Sequence, residues 1–301
     1  MKRAGLLLIA LLTGGASVSS PPSVSAASRQ ANFALQGPLT QGAAVLGTAP
    51  TGTVGLWLDD RPVALDVDRR FLIAFDRDAA PRARLRARMA DGGSVEQMLT
   101  VGPRAWRIER IDAPLRPVKS SEAFMAIRRP ELERIAAARA TGSDARGWRQ
   151  AFQWPRLGRI SGLFGAQRIY RGAPGAYHSG IDIAGAVGNS VVAPADGVVT
   201  LAAQTPFSLE GNLLMIDHGN GLNSAFLHLS RIDVRLGQAV SRGQLVGAIG
   251  ATGRATGPHL HWSVKWHDAR IDPLLLTGPM PTLGQLSRFD NNHQALRVAG
   301  N

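Results

Sequence analysis

Gly257-Pro258-His259-Leu260-His261-Trp262-Ser263-Val264-Lys265-Trp266 is the stretch on which the reading of this 301-residue chain turns. His259 to Trp266 is expected as a strand, and Pro258 suits its entry, because proline lacks a ladder donor and disfavours helix for the residue before it. On a strand, residues two apart share a face, about 6 to 7 Å from each other, so the rings of His259 and His261 enter one cleft. Outward from it the pattern repeats. Val191 to Ala193, Gly197 to Leu201, Leu213 to Asp217, Ser224 to His228 and Leu245 to Ile249 read as further strands with glycine at nearly every corner. With no long helical period among them, residues 151–276 are expected to form an antiparallel β domain, and the chain as a whole to be mainly β.

All seven histidines lie between His178 and His293. Two of them, with one aspartate, complete a chemical set around the pair already named: His178 and Asp182 in H-S-G-I-D, and His228 in F-L-H-L-S. Zinc takes imidazole and carboxylate ligands at about 2.0 to 2.2 Å, and a catalytic zinc keeps three protein ligands with one position open. His178 and Asp182 would stand about 13 Å apart on a straight strand. A bend at Ser179-Gly180 is therefore expected, after which Ile181-Asp182-Ile183 continues as a strand with the isoleucines facing the core. Spacing alone does not say which histidine of the H-x-H pair would bind metal. His218 sits at a hairpin turn, Asp217-His218-Gly219-Asn220-Gly221, and reads as structural. His267 and His293 lie among polar residues and read as solvated; Tyr170 and Tyr177, close to the site in sequence, read as packing residues ahead of oxyanion donors, and Asn212 and Thr256 as groove-lining residues without a catalytic part.

Met1-Lys2-Arg3, the apolar run Ala4 to Leu12 and the small residues ending at Val24-Ser25-Ala26-Ala27 have the parts of a secretory signal peptide, with cleavage expected after Ala26 and residues 1–26 removed. The run is shorter than the roughly 20 residues that span a bilayer, so no stable membrane span is expected after cleavage. Cysteine is absent, which excludes disulfides and thiolate ligands. The formal charge of +12 favours polyanions. Scattered arginines without an aromatic-and-basic module argue against nucleic acid as a partner.

Residues 31–118 read as short strands broken by turns, which suggests a small Ig-like β-sandwich. Arg84 to Met89 alternates charge with apolar side chains, and runs at Val54 to Leu58, Val63 to Val67, Phe71 to Phe75 and Val95 to Val101 accompany it. Residues 119–150 are rich in helix formers and read as a helical connector, with Pro130 in the first turn of a second helix. Residues 277–301 carry little pattern and read as a tail.

Gly162 to Arg168, His178 to Ala184, Ala193-Pro194-Ala195-Asp196-Gly197, Asp217 to His228 and Thr252 to Trp262 resemble, in order, the pattern of the lysostaphin-like (LytM-type) zinc metallopeptidases. Those enzymes cut the peptides of bacterial peptidoglycan. The resemblance implies one zinc ion per chain, held by His178, Asp182 and His261, with His228 and His259 assisting catalysis. It also implies an endopeptidase acting on peptidoglycan cross-links or stem peptides, peptidoglycan peptides and protein regulators as partners, and a periplasmic or otherwise exported location. The chain departs from the pattern at Phe226, where the family often has tyrosine, and at Phe164 to Arg168, one residue longer than usual. The alternative reading is a catalytically inactive relative that binds peptidoglycan and activates a partner hydrolase. Such a protein would be expected to have lost ligands, and here all five positions are filled.

Overall fold

The computed structural model describes residues 32–115 and 121–281, so the expected signal peptide, most of the tail and His293 lie outside the described residues. The first third builds two antiparallel sheets. β1 (Ala34–Gln36), β2 (Ala44–Thr48) and β5 (Arg70–Ala74) form one; β3 (Thr53–Leu58), β4 (Arg61–Pro62), β6 (Arg82–Met89) and β7 (Ser94–Thr100) form the other, in the order β4-β3-β6-β7. The alternation along β6 sends Ala83, Leu85 and Ala87 inward, where they join Val45, Phe71 and Ile73 of the facing sheet in one apolar cluster. The expected strand at Val63 to Val67 is not formed. There the chain leaves the sheet, exposing Val67 and carrying Asp66 and Asp68 to Arg149, which pairs with both.

The remaining strands are β8 (Ile108–Ile111), β9 (Ile160–Gly162), β10 (Gln167–Tyr170), β11 (Ala173–Pro174), β12 (Ile181–Ala184), β13 (Ser190–Val192), β14 (Gly197–Phe207), β15 (Gly211–Asp217), β16 (Leu222–Leu229), β17 (Arg231–Ile232), β18 (Ala239–Val240), β19 (Leu245–Ala248), β20 (His259–Trp266) and β21 (Ala269–Ile271). An antiparallel sheet in the order β18-β14-β15-β16-β20-β12-β9, with β21 on β20, is the frame of the second half. A small sheet, β13-β19-β17, packs beside it. β8 is a departure from the antiparallel plan: it runs parallel to β10, joining the end of the N-terminal half to the second.

One face of the large sheet is the main core. Leu260, Trp262, Val264 and Trp266 of β20, Phe226 of β16 and Ile181 and Ile183 of β12 are buried there. This cluster is continuous with the apolar cluster of the two N-terminal sheets, and ion pairs such as Arg104–Asp272 (2.8 Å) add polar ties between the halves.

The opposite face carries a smaller cluster, Leu201, Ala203, Phe207, Leu213, Met215 and Ala225, covered by Ala138 and Ile135 of a helix. That helix, α1 (Glu122–Ala140), is single where the sequence suggested two, with Pro130 inside it. Proline there removes the N–H that would have bonded the Ala126 carbonyl. Anchors on either side offset the loss: Arg128 grips Glu210 with two bonds of 2.6 and 2.7 Å, and Glu131 accepts from the backbone and hydroxyl of Ser208, both at 2.6 Å. Ser121 caps its start through Phe124 N–H, and Thr141 ends it, as the Thr-Gly-Ser-Asp sequence leads one to expect. A short second helix, α2 (Pro273–Thr277), is capped by Asp272.

Candidate metal centre

β20 presents His259 and His261 on the face away from the core, as period-two alternation requires. In the antiparallel pairing with β12, Asp182 stands directly opposite His261, and Ala184 opposite His259. Gly162 of β9 in turn faces Asp182, and a Cβ there would lie 2.3 Å from Asp182 Oδ2. Glycine is what leaves the carboxylate room. His178 precedes β12 and is pinned by backbone bonds to Ala166 and Gly165, each 2.8 Å. Gly180 serves the site differently from the expectation. It does not take a positive φ; a Cβ on it would sit 2.6 Å from His261 Nε2 and 2.6 Å from the Trp262 carbonyl oxygen. What matters is the missing side chain, which lets the chain pass against the His261 ring.

His178, Asp182 and His261 thus converge. His178 Nε2 lies 3.1 Å from Asp182 Oδ1 and 3.1 Å from His261 Nδ1, and His261 Nδ1 lies 2.9 Å from the same carboxylate oxygen. His178 Nδ1 is 3.0 Å from the Leu163 carbonyl, which can only accept, so the proton belongs on Nδ1 and Nε2 turns a lone pair toward the cluster. Two imidazole nitrogens and a carboxylate oxygen this close repel one another unless positive charge lies among them. The donor set therefore fits a divalent cation with nitrogen and oxygen preference, and a tetrahedral zinc would ask its ligands to stand only slightly farther apart, about 3.3 Å. Electrostatics agree. Burial would raise the Asp182 pKa, yet the neighbouring His178 and His261 rings hold it well below the carboxylate range. Burial opposes charge on His178, but Asp182 outweighs it and the pKa is raised; in His261 burial prevails and the pKa falls.

His228 and His259 stand beside this trio, ring centroids 4.9 Å apart. His259 Nε2 is 3.7 Å from Asp182 Oδ1, while its Nδ1 is 2.8 Å from the Gly257 carbonyl. His228 Nδ1 is likewise 2.8 Å from the Thr252 carbonyl. Both rings therefore carry the proton on Nδ1, bound to backbone, and keep Nε2 free as a base. Burial lowers the pKa of His228, which favours its neutral form. Side-chain exposures of 25% for His178, 23% for Asp182, 16% for His259 and 12% for His261 keep the cluster within reach of solvent.

How His228 reaches the site is not visible from spacing. Strict alternation after Phe226, which points into the core, would send His228 into the core as well. Instead β15 residues Asn212 and Leu214 pair with Leu229 and Phe226, so three steps on β16 oppose two on β15. This is a bulge, and at it His228 takes φ +64°, a left-handed angle uncommon for a side-chain-bearing residue. The phase flips, Leu229 drops into the core and the His228 ring swings to the cleft. Asn212 braces the bulge through bonds to Leu229 O (2.9 Å) and from its own N–H to Thr252 Oγ1 (2.9 Å). The His228 N–H donates to Glu210 O (2.8 Å), the residue held by Arg128 of α1. Sequence reading missed Arg128, Glu131 and Glu210, which lie far from the histidines along the chain.

The other sequence candidates are elsewhere. Tyr177 donates its hydroxyl proton to Asp76 (3.1 Å) and accepts from Arg270 (2.8 Å), a strut between the halves. Tyr170 lies on β10, Asn212 is the buried brace, and Thr256 and His267 are exposed. His218 is fully buried, its Nδ1 donating to Asp196 O (2.8 Å) and its Nε2 accepting from Ser224 Oγ (2.9 Å), the structural part expected of it.

A sequence signature described as Peptidase family M23 matches residues 176–273. Among curated proteins, the peptidoglycan DD-endopeptidase ShyA of Vibrio cholerae is 44% identical over 126 residues, covering 40% of this chain and 28% of that protein. The DD-carboxypeptidase/endopeptidase Mpg of Neisseria meningitidis is 38% identical over 111 residues, covering 37% of this chain and 25% of that protein. The chain thus spans little more than a quarter of the length of these relatives. A crystal structure from Pseudomonas aeruginosa, described as a peptidase M23, superposes with TM-score 0.61 at 30% identity, covering 80% of this chain and 95% of that one.

Proposed function

The chain belongs to peptidase family M23, and from that premise we propose that it is a zinc-dependent endopeptidase that hydrolyses peptide bonds in peptidoglycan cross-links or stem peptides. The observation that carries the reading is the convergence of His178 Nε2, Asp182 Oδ1 and His261 Nδ1, with two further imidazoles beside them whose Nε2 atoms make no hydrogen bond to the described residues. All five positions being filled leaves no reason to read the site as a lapsed one that only activates a partner.

In this proposal His178, Asp182 and His261 hold one zinc ion. The ion, when bound, supplies Lewis acidity toward water and the scissile carbonyl. The chain's own residues do the proton work. His259 and His228, oriented by the Gly257 and Thr252 carbonyls, are the general bases available to an attacking water, and once protonated each is a donor to the oxyanion or the leaving amine. The low His228 pKa keeps it ready to accept. Second-sphere bonds such as that from His178 Nδ1 to Leu163 O fix ligand orientation.

The same proposal divides the chain into an N-terminal sandwich unit (31–118), a connector (119–150) and the peptidase unit (151–276), and places its work outside the cytoplasm, at the cell wall. Such action is in keeping with the activities for which ShyA and Mpg are named. The test is incubation of the purified, zinc-loaded protein with peptidoglycan, with released fragments identified by mass. New amino termini at stem-peptide bonds, absent after chelation and restored by zinc, are expected. An intact zinc-bound protein that releases nothing would overturn the reading.

A further inference from the structure

The outward face of the sheet β4-β3-β6-β7 has no part in the cleft, yet it is unlike an ordinary solvated face. Arg82, Arg84, Arg86 and Arg88 follow one another along β6 on this one side, while Ala83, Leu85 and Ala87 fill the core on the other. At about 3.3 Å per residue the four guanidinium stems are spaced about 6.6 Å apart over about 20 Å. Residues opposite them on β7 are Thr100, Met98, Glu96 and Ser94. Glu96 is the one acid among these β7 residues, and on the β3 flank the Asp59 carboxylate accepts from the Arg84 backbone N–H (2.8 Å), yet among the described residues none of the four arginines forms an ion pair. On the other flank, Trp57 stands opposite Arg86, and its ring lies down over Gly55, where a Cβ would come within 2.6 Å of the indole. Arg86 and Arg88 lie over that ring at 4.6 and 5.7 Å.

This arrangement has a physical meaning. Stacking on indole holds a guanidinium by its flat face and leaves its in-plane N–H groups pointing away, free for a carboxylate. Arginines already fixed lose less freedom on binding than mobile ones. A single surface pair is worth little in water, but a row of them facing a polymer with repeated carboxylates gains by multiplicity. Large apolar side chains that would enter a lipid surface are scarce here; Met98 is the exposed one on the row's β7 flank. We propose that the arginine row of β6, with Trp57, is a docking surface for the carboxylate-bearing peptidoglycan network, which retains the protein on the wall independently of the cleft. The proposal rests on the wall being the substrate, and it concerns a part of the chain outside residues 176–273.

The test is cosedimentation of the full zinc-loaded chain with intact sacculi in the cold, beside sacculi whose free carboxyl groups have been amidated, and vesicles of phosphatidylglycerol. Arg84→Gln/Arg88→Gln and Trp57→Ala are compared with the parent, and all three are assayed on a small soluble cross-linked muropeptide. Binding to sacculi is expected to weaken about tenfold in the double arginine variant at ~0.1 M salt, and by a similar factor for the parent on amidated sacculi, with the effect shrinking as salt rises. The rate on the soluble muropeptide should stay within about twofold of the parent. Sacculus binding unchanged in both variants would overturn the proposal, as would an equal loss on the soluble substrate, or stronger retention by vesicles than by sacculi. A parent chain that binds sacculi through the arginines but cleaves neither substrate would instead overturn the proposed activity, so the two failures are distinct.

Discussion

Acidification should unfold this protein partly through His218, and the size of the effect follows from its surroundings. The ring is wholly buried, stacked edge-on to Phe152 with centroids 5.0 Å apart, donating through Nδ1 to Asp196 O and accepting at Nε2 from Ser224. Those bonds suit the neutral imidazole, and burial pushes its pKa down to about 4 from the usual 6.5. Above pH 6.5 both folded and unfolded chains carry the neutral ring, and the group adds no pH dependence. Below 6.5 the unfolded chain takes up a proton that the folded one refuses until about pH 4, so stability falls through that window. A gap of about 2.5 pH units at 1.36 kcal/mol each is about 3.4 kcal/mol, of which about 2.5 kcal/mol is lost by pH 4.5. Because the chain holds other ionisable groups, the measurement is a difference. Urea unfolding of the parent and of His218→Gln, which cannot titrate, is followed at several values between pH 7.5 and 4.5. The parent should lose about 2.5 kcal/mol more than the variant across that interval. Two curves that stay parallel to within about 0.5 kcal/mol would refute the reasoning, because they would mean that the ring is protonated in the fold at little cost.

Other outcomes follow from the cleft and its supports. His261→Ala and Asp182→Asn should lose zinc, measured by metal analysis, and with it hydrolysis; a fully active His261→Ala protein would sink the ligand assignment. His228→Ala and His259→Ala should retain the metal while kcat drops about 10² to 10⁴-fold. Gly180→Ala places a methyl 2.6 Å from His261 Nε2 and is expected to weaken zinc affinity, read by competition with a chelating dye. Arg128→Met leaves Glu131 and Glu210, with side-chain exposures of 11% and 17%, facing each other without a cation. The cost should be about 3 kcal/mol, or about 6 to 12 °C in Tm. Because Glu210 holds the backbone of His228, kcat should fall even where metal content is full.

Much of the cleft could be read before any coordinates because it is built by local rules. His259 and His261 share a face by simple alternation, and β20 runs over the expected His259 to Trp266. Asp182, with isoleucines on either side, sits on a strand as expected, and its facing of His261 is then a matter of register. Local rules failed where the cause was distant. Pro130 looks like a helix start unless one knows that Arg128 and Glu131 are tied to Glu210 and Ser208 on the β14–β15 turn. His228 obeys neither strand period nor turn chemistry, since a bulge against β15 and a left-handed φ turn it round. Gly180 was expected for its backbone freedom, whereas its part in the fold is vacancy, set by a ring that comes from 81 residues later. Val63 to Val67 has the composition of a strand, but beyond the Val63 N–H bond to Leu56 O (2.9 Å) it forms no ladder with the described strands.

The parallel pairing of β8 with β10 bears on how such a chain can be taken apart and recombined. Composition draws its boundary near residue 118, but Ile108–Ile111 is hydrogen-bonded to Gln167–Tyr170 across that line, and α1 is bolted to the turn beside His228. A fragment starting at residue 151 would bare the β10 edge, a site for unwanted pairing with other chains, and would lose both the helix and the Ser143 bonds to Asp217. For module exchange, whether by evolution or by design, the transferable piece therefore begins ahead of Ile108. A graft cut at the apparent linker would carry all three proposed zinc ligands to its new host and leave part of the scaffold behind.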